Sequence, residues 1–97
     1  MNLGNTISQL RGKKGLKQSE MAELLHITST YLSQIENNKK LPTMALLERI
    51  SNQLSTPLPF IFMLSMDDKD IPPSKAAHFK LLQPALRQFM LELIDTP

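Results

Sequence analysis

Residues 18–37 read QSEMAELLHITSTYLSQIEN. Two short apolar patterns of helical period meet here across about three residues, around His26, Ile27 and Thr28. Met21, Leu24 and Leu25 mark the first helix, and Leu32 and Ile35 mark the second. Ser19 and Glu20 suit the start of the first, where acidic groups complement the positive end of the helix dipole. Thr28 or Ser29 starts the second, because a hydroxyl there accepts from a backbone N–H that has no helical partner. Two helices joined this tightly cross steeply. Ala22 supplies the small side chain that the crossing needs, and Met21, Leu25, Ile27, Leu32 and Ile35 form the expected buried set. The turn requires left-handed backbone, and His26 is expected to adopt it, as histidine does more often than most non-glycine residues.

The second helix has an outer face of an uncommon kind. Ser29, Thr30, Ser33, Gln34 and Asn37 are uncharged hydrogen-bonding residues, and Lys39 and Lys40 follow at once. A surface helix ordinarily carries charged groups on its outer face. Short-reach hydroxyls and amides beside a pair of cations therefore call for a specific explanation.

Outward from this pair the chain stays helical. Leu3, Ile7 and Leu10 mark a preceding helix that ends near Gly12 to Gly15. Pro42 interrupts after the pair, and Thr43 can cap a fourth helix with Leu46, Leu47, Ile50 and Leu54 on one side. Thr56 followed by Pro57 signals a fifth start, carrying Leu58, Phe60, Ile61 and Phe62. SMDDKDIPPS, residues 65–74, reads as a linker, with three aspartates and adjacent prolines. Ser74 can cap a last segment. There Phe79, Leu82, Leu86, Phe89 and Leu93 have the alternating spacing of a heptad seam, which Met90 and Ile94 widen. Pro84 falls opposite the seam and is expected to kink the helix or to begin a second one. No strand pattern and no internal repeat appears. The expected organisation is an all-α chain, with a helical domain over residues 1–64, a linker over 65–74 and a helical tail over 75–97.

The 97 residues, 41% of them hydrophobic, allow one modest core. With no cysteine, disulfides and thiolate metal sites are excluded. His26 and His78 lie in different segments, and the acidic DDKD run lacks the spacing of a calcium loop, so neither a metal nor a cofactor is expected. No serine–histidine–acid or paired-carboxylate arrangement stands out, and the chain reads as non-enzymatic. The longest apolar run, LPFIFML at 58–64, falls well short of the roughly 20 residues a membrane helix needs. The N-terminus lacks the basic-then-apolar order of a secretion signal. Net charge is +2, unevenly spread. Residues 1–54 hold seven basic and four acidic groups, against four and five in residues 55–97. The first half thus suits a polyanionic partner.

LKQSEMAELLHITSTYLSQIENNKKLPTMALLERISNQL, residues 16–54, resembles the helix-turn-helix family of phage Cro and repressor proteins, also called the XRE family. The likeness covers residues 3–64 and rests on Gln18, Ala22, the apolar set, YLSQIE, Asn37 and the LPT ahead of the fourth helix. His26 and Asn38 stand where the family usually has glycine, and both tolerate left-handed backbone. The resemblance implies a lambda-repressor-like DNA-binding domain of about five helices, with a C-terminal helical extension. It also implies that the second helix of the pair lies in the major groove, where base edges are read by short-reach donors and acceptors. Ser29, Thr30 and Gln34 match base-contacting positions, and Ser33 is a weaker candidate. Gln34 suits adenine, which offers a donor beside an acceptor. Gln18 matches the family's phosphate-binding glutamine at a helix N-terminus. Asn37, Lys39, Lys40, Thr28, Tyr31 and Lys17 are expected on phosphates, with Lys13, Lys14 and Arg11 as weaker candidates. Plainer roles compete: Thr28 as a cap, Tyr31 as a packed ring, Glu36 as the partner of a basic group such as Arg11.

The implied function is sequence-specific binding of double-stranded DNA by a transcriptional regulator. In its simplest form this is a cytoplasmic repressor, on the nucleoid when bound, acting as a homodimer on a palindromic operator. The 75–94 region and the fifth helix (Phe60, Phe62, Leu64) are the expected interfaces. One alternative is an antitoxin that autoregulates its operon and binds a protein partner through the tail. Another is a protein-interaction module that kept the fold and lost DNA binding.

Overall fold

A computed structural model describes residues 1–95, and the last two residues of the expected tail lie outside the described residues. The chain runs α1 (Leu3–Lys13), α2 (Gln18–Leu25), α3 (Ser29–Glu36), α4 (Met44–Gln53), α5 (Leu58–Ser65) and α6 (Ala76–Asp95), with no strand among the described residues. Two 3-10 turns, Asp68–Asp70 and Pro73–Lys75, lie between α5 and α6.

Local chemistry sets most of the helix ends. The Asn2 side chain accepts from the Asn5 N–H at 3.1 Å and caps α1. The Glu20 carboxylate accepts from the Lys17 N–H at 2.8 Å at the start of α2. Thr28 and Thr43 cap α3 and α4 by accepting from the Tyr31 and Leu46 N–H groups. His26 ends α2 in left-handed backbone at φ 58°, as expected. Ser55 does the same after α4 at φ 50°, which the sequence did not signal. Thr56 does not cap α5. Its buried hydroxyl donates to the Leu54 carbonyl at 2.9 Å. The Phe60 and Ile61 N–H groups go instead to the Pro57 carbonyl, which the fixed φ of proline holds ready for a first turn.

Ile7, Met21, Leu25, Leu32, Ile35, Ile50, Leu54 and Ile61 are sealed from solvent and draw the first five helices around one core. Two sequence expectations are corrected here. Ile27, expected in the buried set, is only partly buried against the core, while Leu24, outside that set, is 47% exposed. Leu64 is buried in the core, so it is not available as an interface residue. Phe60 and Phe62 flank the inward stripe of α5 and are half-buried.

α1 lies directly on the C-terminal end of α3. A Cβ at Gly4 would collide with the Ile35 carbonyl oxygen and come within 2.6 Å of that of Glu36. Asn38 holds the junction. Its backbone is left-handed at φ 60°. Its side-chain oxygen accepts from the Gly4 N–H at 2.9 Å, and its amide donates to the Asn2 side chain at 2.7 Å. A glycine at position 38 would make the turn but leave both bonds unmade.

The expected linker is structured. Ser65 belongs to α5, is buried, and donates to the Ile61 carbonyl at 2.6 Å. The aspartates cap the turn that follows, with the Lys69 N–H on Asp67 and the Asp67 N–H on Asp70, each at 2.9 Å. The Met1 ammonium lies 3.1 Å from Asp67 and 3.0 Å from Asp70, and Lys80 lies 3.1 Å from Asp68.

α6 starts from the Pro73–Lys75 turn rather than from a Ser74 cap, and it runs through Pro84 as one element. Pro84 is exposed, so the Lys80 carbonyl that loses its helical donor can turn to water. The helix folds back on its own domain through a different stripe from the heptad seam. Gln83 donates to the Met66 carbonyl at 3.0 Å. Arg87 donates to the Leu64 carbonyl and to Gln9, each at 2.9 Å. These carbonyls lie at the end of α5, where no helical N–H reaches them. Met90 is buried, with Leu91 and Ile94 packed beside it. Leu82, Leu86, Phe89 and Leu93 face outward, between 44% and 59% exposed.

Candidate nucleic-acid interface

α3 is pinned to the core by Leu32 and Ile35 and turns its other side to solvent. Ser29 and Thr30 are exposed there, and Ser33 and Gln34 are half-buried. Among the described residues no intrachain hydrogen bond engages the side chains of Ser29, Thr30 or Gln34. Ser33 differs. Its hydroxyl oxygen and its carbonyl both accept from the Asn37 amide, at 3.3 and 2.8 Å. The structure therefore separates three uncommitted polar side chains from a fourth that is tied to Asn37.

The cations arrive by a backbone device. The N–H groups of Lys39 and Lys40 both fold back onto the Gln34 carbonyl, at 2.8 and 3.2 Å. This fixes the two residues at the C-terminal end of α3, where positive charge is favoured by the helix dipole. Both side chains are exposed. Lys17, also exposed, immediately precedes α2. Thr28 keeps its hydroxyl proton, because capping uses only a lone pair of the oxygen. The Tyr31 ring is half-buried against the core cluster, so its packing role is realised.

Between the two motif helices sits a charged network. Glu36 is buried and receives Arg11 in a two-pronged pair, Nε at 2.8 Å and Nη2 at 3.0 Å. The third Arg11 nitrogen donates to the Leu16 carbonyl at 2.8 Å. The hydrogen bond to Glu36 holds the Arg11 pKa above its ordinary value, against the opposing effect of burial. The Gln18 amide donates to the same carboxylate at 3.2 Å. Arg11 is thus spent inside the protein. Gln18 is held at the head of α2 with a second amide proton to offer. Glu36 is the one acidic residue of α3, and its pairing leaves the outer face without an uncompensated negative charge.

Sequence reasoning reached the Glu36–Arg11 pair but not the third member, Gln18, which shares the carboxylate. It also missed Asn38 as an organiser. The available signal was an asparagine, rather than a glycine, at a left-handed position. Among the described residues, no cluster of acidic or histidine side chains could hold a metal ion, and no helix is long and apolar enough to cross a membrane.

The helix-turn-helix family matches residues 7–61, which run from within α1 to the middle of α5. The ImmF control region 10 kDa protein of Bacillus phage phi105 is 49% identical over 49 residues, 50% of this chain and 54% of that protein. The HTH-type transcriptional regulator RamB of Mycobacterium tuberculosis is 35% identical over 66 residues, 68% of this chain and 14% of that protein. The HTH-type transcriptional regulator SutR of Escherichia coli is 38% identical over 55 residues, 57% of this chain and 31% of that protein. The chain therefore spans about half the length of the phage protein and less than a third of either regulator. No solved structure matches it. The matched span contains the short crossed pair α2–α3, its left-handed turn and the outward polar face of α3, and on these grounds the chain belongs to the Cro/C1-type helix-turn-helix family of DNA-binding transcriptional regulators.

Proposed function

We propose that this protein is a sequence-specific repressor that binds a palindromic operator as a dimer, in the cytoplasm, and excludes polymerase from the site. The observation that carries the reading is the outer face of α3. Ser29, Thr30 and Gln34 have no partner within the described chain, on a helix whose single acid is internally neutralised. Buried in a groove without a base edge, such groups would lose water and gain nothing. Against a base edge they find donors and acceptors at matching reach.

In this reading α3 lies in the major groove. Gln34 pairs with an adenine, Ser29 and Thr30 meet neighbouring base edges, and Ser33 takes a lesser part. Gln18, Thr28 and Lys17 grip the phosphate backbone on one side, and Asn37, Lys39 and Lys40 grip it on the other, with Tyr31 adding its hydroxyl. Phosphate contacts fix the register and supply most of the salt-sensitive affinity, while the base contacts choose the sequence. A single short helix touches few base pairs, and joining two copies raises affinity without new contacts. That supports a dimer on two half-sites about one helical turn apart.

The test is selection from a random duplex pool at two salt concentrations. Enrichment of a palindrome is the expected outcome. Salt-sensitive retention with no enrichment would remove sequence reading and leave only the phosphate grip. No retention at low salt would overturn DNA binding itself.

A further inference from the structure

α6 uses its more polar stripe to hold its own domain and leaves its more apolar stripe open. Leu82, Leu86, Phe89 and Leu93 are each at least 44% exposed and lie within one face. An isolated soluble domain rarely shows so continuous an apolar strip. The strip does not end at the helix. Leu86 also lines a groove with Met63, Met66 and Phe79, so the open surface continues onto α5.

The spacing and the charges of this face say what covers it. The residues repeat as a heptad seam, which packs knobs into the holes of another helix with the same repeat. The same helix can therefore serve as its own partner. Its charge is graded along its length. Lys80 lies toward the N-terminal end, with Lys75 just ahead of the helix, and after Arg87 the charged residues are only acids, Glu92 and Asp95. A parallel pair would set lysine beside lysine and glutamate beside glutamate. An antiparallel pair sets the basic end of each helix beside the acidic end of the other and also opposes the two helix dipoles.

We propose that two copies of this chain pair antiparallel through the Leu82–Leu86–Phe89–Leu93 face of α6, with the two-fold axis passing between Ala85 and Leu86. Leu82 of each copy then packs against Phe89 of the other, and the small Ala85 lets the helices approach at the axis. The proposal rests on the dimeric reading above and specifies its interface.

The absence of cysteine makes the arrangement directly readable, since each introduced thiol reports alone. Under mild oxidation Ala85→Cys and Leu86→Cys cross-link to their own kind, because they flank the axis. Leu82→Cys alone and Phe89→Cys alone do not, but a mixture of the two does. Cross-linking of Leu82→Cys to itself would mean a parallel pair and would overturn the proposal. In parallel, Leu86→Glu is measured by light scattering, with circular dichroism confirming its helix content. The variant is expected to fall from dimer to monomer mass. A wild-type monomer at high micromolar concentration, or a Leu86→Glu variant that stays dimeric, would also overturn the proposal. If the cross-linking pattern holds and no duplex is bound, the operator reading fails while this interface stands.

Discussion

At the scale of single residues, the fold and the reading surface depend on different side chains. Gly4 belongs wholly to the fold. Gly4→Ala forces a methyl group against two α3 carbonyl oxygens, which are backbone and cannot swing aside. The expected loss is about 2–3 kcal/mol, in the range for overpacked sites, measured as a lowered urea midpoint with unchanged slope. Glu36 belongs to both. Glu36→Gln leaves the shielded Arg11 guanidinium without its counter-charge and should destabilise by roughly 2–4 kcal/mol, somewhat less than a fully buried pair because Arg11 is partly exposed. Thermal unfolding of the single variant, and of its double with Arg11→Met, checks this. The double should recover part of the loss. Gln34 belongs only to the reading. Gln34→Ala should leave stability within about 0.5 kcal/mol and erase discrimination at one base pair, worth roughly 1–3 kcal/mol. Competition between the selected site and its single-base variants measures it, and equal losses on specific and random duplexes would remove Gln34 from the readers. At this scale His26 and Asn38 were legible in the sequence, since each stands where left-handed backbone was required. Ser55 was not, because serine has no marked preference for that region. The Gln18 contact with Glu36 was hidden because it joins residues from two helices through a carboxylate already assigned to Arg11.

At the scale of elements, periodicity and capping located the first four helices, and Thr28 and Thr43 cap as their chemistry predicts. Thr56 failed because its hydroxyl found a carbonyl two residues behind it before any N–H ahead. For α6 the sequence showed the period but not the docking stripe. That choice is made by the carbonyls of Leu64 and Met66 at the end of α5, which call for donors, and Gln83 and Arg87 are donors one turn apart. No pattern within α6 alone carries that information. The same scale governs the phosphate grip. The loop after α3 holds Lys39 by its backbone, so Lys39→Ala removes a charge without moving the helix. Binding should weaken alike for all sequences, and the slope of log affinity against log salt should flatten by about 0.9. A loss confined to the specific site would place Lys39 among the base contacts instead.

At the scale of the whole molecule, the acidic segment ties the N-terminus to the first turns of α6. It binds the Met1 ammonium through Asp67 and Asp70 and the tail through Asp68 and Lys80. Composition alone suggested a loose linker, because aspartate and proline are loop formers when nothing opposes them. The opposing charges come from elsewhere in the chain and are invisible in a local reading. The hydrogen bond from Lys80, supported by a backbone hydrogen bond, lowers the Asp68 pKa below its ordinary 3.8. A carboxylate whose pKa falls on folding stabilises the structure above the unfolded value and loses that contribution as pH drops through the folded one. The contact is therefore complete at neutral pH and releases only in acid below 3.8. An NMR titration of the Asp68 carboxyl should show a midpoint under that value, and Lys80→Met should move it back upward.

The three side chains proposed to choose the DNA sequence make no bond that the fold needs. Ser29, Thr30 and Gln34 could be exchanged while the capped, glycine-notched scaffold beneath them stayed the same. A lineage built on this chain can therefore drift from one target sequence to another by small steps, each stable enough to survive. An engineer can retarget it in the same way, by randomising three positions and leaving the rest of the molecule untouched.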